Sequence, residues 1–85
     1  MKYSIVFTKS AMKELVKMPD DDVRKVVAKI DLLAENPRPQ GAIKLKGGLD
    51  LYWRIRVGDF RIIYSIEDII KVVEIIAVGH RKDVY

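Results

Sequence analysis

The rhythm of hydrophobic and polar residues changes along the chain. Residues 2–7 alternate, with Tyr3, Ile5 and Phe7 set against Lys2, Ser4 and Val6, the period of a strand. Thr8 is a plausible N-cap for a short helix over residues 9–18, whose apolar face would carry Met12, Leu15, Val16 and Met18. Pro19 stops that helix. Asp20, Asp21 and Asp22 then open a second one, where acidic side chains oppose the helix dipole and can cap free backbone N–H groups. Val23, Val26, Val27, Ile30, Leu33 and Ala34 recur at helical spacing, and Asn36-Pro37-Arg38-Pro39 ends the run. The Pro19-Asp20 junction predicts an antiparallel helical hairpin.

Beyond residue 40 the period returns to two. A short strand is expected at residues 43–46, followed by a turn at Gly47-Gly48. Leu51, Trp53, Ile55 and Val57 then alternate with Tyr52, Arg54 and Arg56. Gly58-Asp59 has the form of a two-residue hairpin loop with glycine first, as a type II′ turn requires. Phe60, Ile62, Tyr64 and Ile66 alternate with Arg61, Ile63 and Ser65, and Glu67-Asp68 turns the chain again. Residues 69–78, apolar except for Lys71 and Glu74, predict a long central strand ended by Gly79, with a mostly polar tail after it. The predicted fold is α+β: an N-terminal strand, the helical hairpin, then three to four strands in a mainly antiparallel sheet with the helices on one face.

A chain of 85 residues is expected to form one domain. With 49% hydrophobic residues it has a globular composition, and no apolar run is long enough to cross a bilayer, so no membrane partner is expected. Lys9, Lys13 and Glu14 interrupt any signal-peptide pattern, and cysteine is absent; cytoplasmic residence is expected. One histidine without cysteine argues against a zinc site, the Asp20–Asp22 run lacks calcium-loop spacing, and no phosphate loop of the Gly-Lys-Ser/Thr type occurs. No cofactor or metal is therefore expected. A net charge of +4 suits an anionic partner such as nucleic acid.

The hairpin sharpens that expectation. If Gly58-Asp59 is the loop, Val57 faces Phe60, Ile55 faces Ile62 and Trp53 faces Tyr64 on an apolar side. The other side sets Arg56 against Arg61 and Arg54 against Ile63. Like charges directly opposite destabilise a sheet by roughly 0.2–1 kcal/mol, and a face needed only for solubility would mix in acids. A twisted surface can splay arginines into water; alternatively, the cluster is an anion site, since the planar guanidinium fork matches phosphate. Lys44 and Lys46 on the preceding strand either extend that site or form a solvated edge. Arg81 reads as part of a charged, fraying end, and Tyr85 either packs on the body or stacks on a base. His80 reads as a surface or hydrogen-bonding residue, although histidine is the side chain whose ordinary pKa suits acid–base work near neutrality.

The run Leu51-Tyr52-Trp53-Arg54-Ile55-Arg56-Val57-Gly58-Asp59-Phe60-Arg61-Ile62-Ile63-Tyr64, with Val78-Gly79-His80-Arg81-Lys82-Asp83-Val84-Tyr85 after it, closely resembles the RelE/ParE toxin superfamily. Within it the resemblance is to RelE-type mRNA interferases; Lys44-Leu45-Lys46-Gly47 and the Asn36-Pro37 helix exit also fit. The resemblance implies a toxin of a type II toxin–antitoxin system that enters the ribosomal A site and cuts mRNA without a metal. The RNA's 2′-hydroxyl would attack the adjacent phosphate, and a cognate antitoxin would restrain the toxin. Arg54 and Arg56 match sites where the best-known relatives carry lysines, Arg61 matches the arginine of the next strand, and Arg81 and Tyr85 match the C-terminal arginine and tyrosine. Because arginine stays protonated in proteins, Arg56 is a poor general base, which leaves His80, a lysine at 44 or 46, or activation by positioning. ParE relatives share the fold and poison DNA gyrase by binding, the alternative function. A third possibility is a module that binds antitoxin or RNA without cutting.

Overall fold

The computed structural model describes residues 2–46 and 51–80. Its elements run β1 (Ser4–Phe7), α1 (Lys9–Lys17), α2 (Asp20–Glu35), β2 (Ile43–Lys44), β3 (Tyr52–Val57), β4 (Phe60–Glu67) and β5 (Val72–His80). The strands form one sheet in the order β1-β5-β4-β3-β2, with β1 parallel to β5 and the other neighbours antiparallel. This is the α+β architecture expected from the period changes. The Gly47-Gly48 turn lies outside the described residues.

Thr8 caps α1 by accepting a hydrogen bond from the Ala11 N–H at 3.1 Å. Its hydroxyl also donates to the Ile76 carbonyl at 2.8 Å, and its own N–H donates to the Ile75 carbonyl at 3.0 Å. One side chain thus ends β1, starts α1 and ties both to β5. In α2 the three aspartates occupy the first turn, where they oppose the dipole, but none makes a capping hydrogen bond. Pro19 is the N-cap residue, and its carbonyl accepts from the N–H groups of Asp22 and Val23.

The core forms where the helices meet one face of the sheet. Ala11 and Leu15 of α1 join Val26, Ile30 and Leu33 of α2 over Ile55, Ile62, Tyr64, Val73, Ile75 and Val78. The inward face of α1 differs from the expected one. Met12 and Val16 are 50% and 83% exposed, because the small Ala11 makes the close approach to the sheet and turns its neighbours outward. Tyr64 is fully buried, and its hydroxyl donates to the Pro37 carbonyl at 2.7 Å, pinning the segment that leaves α2. Burial pushes the Tyr64 phenol up to about 12.

The last strand departs from its expected bounds at both ends. Residues 69–71 form a turn rather than strand, with Lys71 at φ 57° and Ile69 at 93% exposure. Asp68 anchors that turn: Tyr3 donates to its Oδ1 at 2.6 Å, and Arg38 donates to both carboxylate oxygens at 3.2 and 2.8 Å. These bonds hold the Asp68 carboxyl down at about 2 and raise Arg38. At the other end Gly79 does not stop the strand. It pairs with Arg61, and the ladder runs on until His80 meets Phe60.

A β-bulge lies between those ends. Ile63 pairs with Ala77 and Tyr64 with Ile75, leaving Ile76 as the extra residue whose carbonyl Thr8 engages. Val73 and Ile75 face the helices before the bulge, and Val78 and His80 do so after it. The alternation has changed parity.

Candidate functional site

The hairpin register is the one expected from Gly58-Asp59. Val57 pairs with Phe60, Arg56 with Arg61, Ile55 with Ile62, Arg54 with Ile63 and Trp53 with Tyr64. Gly58 takes φ 57°, which suits the first position of a type II′ loop. On the sheet face away from the helices, Arg56 and Arg61 are therefore direct cross-strand neighbours, with Arg54 two residues along. Arg56 is exposed, whereas Arg54 and Arg61 are half-buried, with their Nε atoms withdrawn from solvent. The register places all three arginines on one face of the sheet. Ile63, 7% exposed, lies on this face outside the main core cluster, and Ala77 and Gly79 give the neighbouring strand short side chains beside Ile63 and Arg61. Three arginines and the largely buried Ile63 therefore share this face of the sheet.

The other candidate residues are placed differently. His80 pairs with Phe60, so it lies on the helix side of the sheet, away from the arginines. Its ring meets Phe60 edge-on at 5.8 Å, and it borders a cleft of about 350 Å³ shared with Asp22, Lys25 and Asp59. The bulge at Ile76 is the cause: without it, strict alternation from Ile75 would have set His80 on the opposite face from that residue. Lys44 pairs with Trp53 and so also falls on the helix side; its neighbour Ile43 is the β2 residue that shares a face with Arg54. Lys46 is exposed beyond β2. Arg81 and Tyr85 lie outside the described residues.

Two features were not anticipated. A cleft of about 430 Å³ runs along the outer edge of β3, where the two-residue β2 leaves off, and Lys29 and Gln40 line it with Arg54 and Arg56. Lys29 thereby extends the cationic surface from the sheet face to the helix. In the sequence it is one of the two lysines of α2, with Lys25, and only the fold singles it out. The second feature is the Tyr3–Asp68–Arg38 cluster, whose guanidinium also lies 5.5 Å over the Trp53 ring. It fastens the end of the sheet opposite the hairpin, so its role is to hold the fold. Among the described residues, no group of three or more histidine, cysteine or acidic residues could hold a metal ion.

Three arginines on one sheet face are suited to binding phosphodiester, because the planar guanidinium fork matches phosphate. Comparison with known proteins agrees with the fold. The family model of the ParE toxin of the type II toxin–antitoxin system parDE matches residues 5–85. A protein of Escherichia coli named as a RelE-like toxin is 32% identical over 88 residues, covering 100% of this chain and 92% of its own length. A chain from the RelBE2 toxin–antitoxin complex of Mycobacterium tuberculosis superimposes with a TM-score of 0.87 at 30% identity, covering 98% of this chain and 95% of that one. A chain from the archaeal RelE–RelB complex of Pyrococcus horikoshii OT3 gives 0.83 at 33% identity, covering 98% and 99%. The chain belongs to the RelE/ParE family of toxins of type II toxin–antitoxin systems.

Proposed function

We propose that this toxin is a metal-independent endoribonuclease that cuts mRNA in the ribosomal A site and so stops translation. The observation that carries the reading is the Arg56–Arg61 cross-strand pair with Arg54 beside it on the same face of the sheet. In the reaction the 2′-oxygen attacks the adjacent phosphorus and the bond to the 5′-oxygen breaks. The products are a 2′,3′-cyclic phosphate, or its opened form, and a 5′-hydroxyl. Arg54 and Arg61 hold the scissile phosphate and stabilise the charge that grows on it, the effect expected of fixed cationic donors. Arg56 and Lys29 grip flanking phosphates, and Lys44 and Lys46 add positive charge at the edge of the sheet. Tyr85 stacks on a base and splays the strand toward in-line attack, while Arg81 neutralises the charge on the departing 5′-oxygen, which takes its proton from solvent. With His80 turned to the helix side, the 2′-hydroxyl is activated by alignment and by the surrounding cations, its proton passing to solvent. The partners of this reading are mRNA, the ribosome and a cognate antitoxin, and the compartment is the cytoplasm.

A second reading is binding and inhibition of DNA gyrase, favoured by the match of residues 5–85 to the ParE toxin family. Primer extension on a defined mRNA in a reconstituted translation system separates them. Wild type, Arg61→Ala and Arg81→Ala are compared with and without ribosomes, beside a supercoiling assay with purified gyrase. Ribosome-dependent cuts within codons, lost in both variants, support the nuclease. Absence of cuts from folded, antitoxin-free protein together with blocked supercoiling would replace it with the gyrase reading.

A further inference from the structure

One aromatic residue on the arginine face has no place in the core. Tyr3, Phe7, Trp53, Phe60 and Tyr64 all belong to the helix-side core or pack against it; among the described residues, Tyr52 is the aromatic left out. It lies half-buried on the opposite face of the sheet, next but one to Arg54 along β3. It heads a row that crosses four strands: Tyr52 pairs with Ser65, Ser65 with Glu74, and Glu74 with Val6. The adjoining row is Arg54, Ile63 and Ala77, about 7 Å away along the strands. Glu74 is also half-buried, and among the described residues it joins no ion pair, although three arginines share its face. A carboxylate on a face that takes phosphate repels the nucleic-acid backbone, so it needs a hydrogen-bond donor from the ligand to offset that cost.

We infer that the Tyr52–Ser65–Glu74 row is a nucleobase subsite beside the arginines. Tyr52 stacks on the base of a nucleotide next to the gripped phosphate, and Glu74 accepts a hydrogen bond from an exocyclic amine on that base. The inference rests on the reading that this face binds RNA, and it adds which bases the face selects. An aromatic on an open sheet face is a suitable platform for a splayed base, since every base has a π-face. Between Tyr52 and Glu74, roughly 10 Å apart across two strand spacings, stands only the small Ser65, so a base seated on the ring can extend its edge to the carboxylate. Cytosine carries an amine at the position where uracil has a carbonyl oxygen; a carboxylate accepts from the first and repels the second. Adenine offers an amine in the same way. A basic protein segment would also satisfy Glu74, but Arg54, Arg56 and Arg61 on the same face oppose its approach.

The test is fluorescence anisotropy of the whole chain with short 2′-O-methyl oligocytidylate and oligouridylate. These strands lack the attacking hydroxyl, so binding is read without cleavage and failure of the nuclease reading leaves the outcome interpretable. The wild type should bind oligocytidylate roughly five- to tenfold more tightly, the discrimination expected of one hydrogen bond to a charged acceptor. Glu74→Ala should make the two affinities equal; removing a negative charge strengthens binding to both strands alike, so their ratio is the quantity that reports base recognition. Tyr52→Leu, which keeps apolar bulk without a π-face, should weaken both roughly tenfold or more, whereas Tyr52→Phe should bind as the wild type does. Circular dichroism establishes that each variant is folded. Arg61→Ala should weaken both strands without changing their ratio, which reports the phosphate site separately. Equal affinities in the wild type, a ratio that survives Glu74→Ala, or tighter binding of an oligoarginine peptide than of either strand would overturn the inference. So would a folded Tyr52→Leu that binds RNA as well as the wild type, and if Arg61→Ala still loses binding in that case the arginine site stands without this subsite. Failure of the wild type to bind either strand would remove the subsite together with the RNA-binding reading.

Discussion

Replacing Arg56 with glutamate should make the protein more stable and destroy its activity. Arg56 and Arg61 are direct cross-strand neighbours, a like-charged arrangement that costs roughly 0.2–1 kcal/mol, whereas an opposite pair contributes a similar amount. Converting one to the other therefore stabilises by about 1 kcal/mol, with the lower part of the range favoured because Arg56 is exposed to solvent. For a domain of this size about 1 kcal/mol raises Tm by roughly 4–8 °C. Thermal unfolding followed by circular dichroism at low salt measures the gain, with Arg56→Gln as a neutral reference that should lie between the two. At 1 M salt the Debye length falls to about 3 Å and most of the difference should vanish. In the translation assay the glutamate variant should cut RNA far more slowly, since it places a carboxylate where phosphate must bind. A variant less stable than wild type at low salt would refute the electrostatic account of the pair. A stable variant that keeps full activity would remove Arg56 from the site.

Other outcomes follow from individual contacts. Tyr64→Phe leaves the buried Pro37 carbonyl without its donor and should destabilise by about 1–3 kcal/mol, read as a lower midpoint in urea. The Tyr64 phenol is raised to about 12, so the folded state keeps its proton longer than the unfolded chain; its contribution is complete below about pH 10 and is lost as pH rises toward 12. The phenylalanine variant should show a shallower alkaline fall in stability across that interval. Asp68, lowered to about 2, behaves in the opposite sense: its contribution is present above its ordinary value of 3.8 and disappears as pH falls toward 2. Asp68→Asn should flatten the acid limb of the stability profile and speed amide exchange in the residue 68–71 turn. Thr8→Val removes the cap of α1 and the bond to the Ile76 carbonyl together, and a loss of about 1–2 kcal/mol with faster exchange at the Ala11 amide is expected.

What could be read along the chain was local. The Gly58-Asp59 loop dictates its own register, because a two-residue turn leaves no choice about which residues face each other, and that register alone puts Arg54, Arg56 and Arg61 on one surface. Helical spacing marked Val26, Ile30 and Leu33 as core, and Thr8 as a cap, since each depends on neighbours within about one turn. The apolar residues of α1 were harder to assign: periodicity alone does not reveal that a small Ala11, rather than Met12 or Val16, makes the close approach to the sheet.

The sequence by itself thus determined the order of the elements, the hairpin and the arginine face. Tertiary structure alone decided which side of the sheet His80 occupies, because the bulge at Ile76 reverses the alternation, and the carbonyl of the extra residue is engaged by a hydroxyl 68 positions away in Thr8. It also decided that Lys44 pairs with Trp53 rather than the arginines, and that Lys29 lines one cleft with Arg54 and Arg56. Alternation predicts a face only while the ladder is unbroken, and a single extra residue reverses every side chain beyond it.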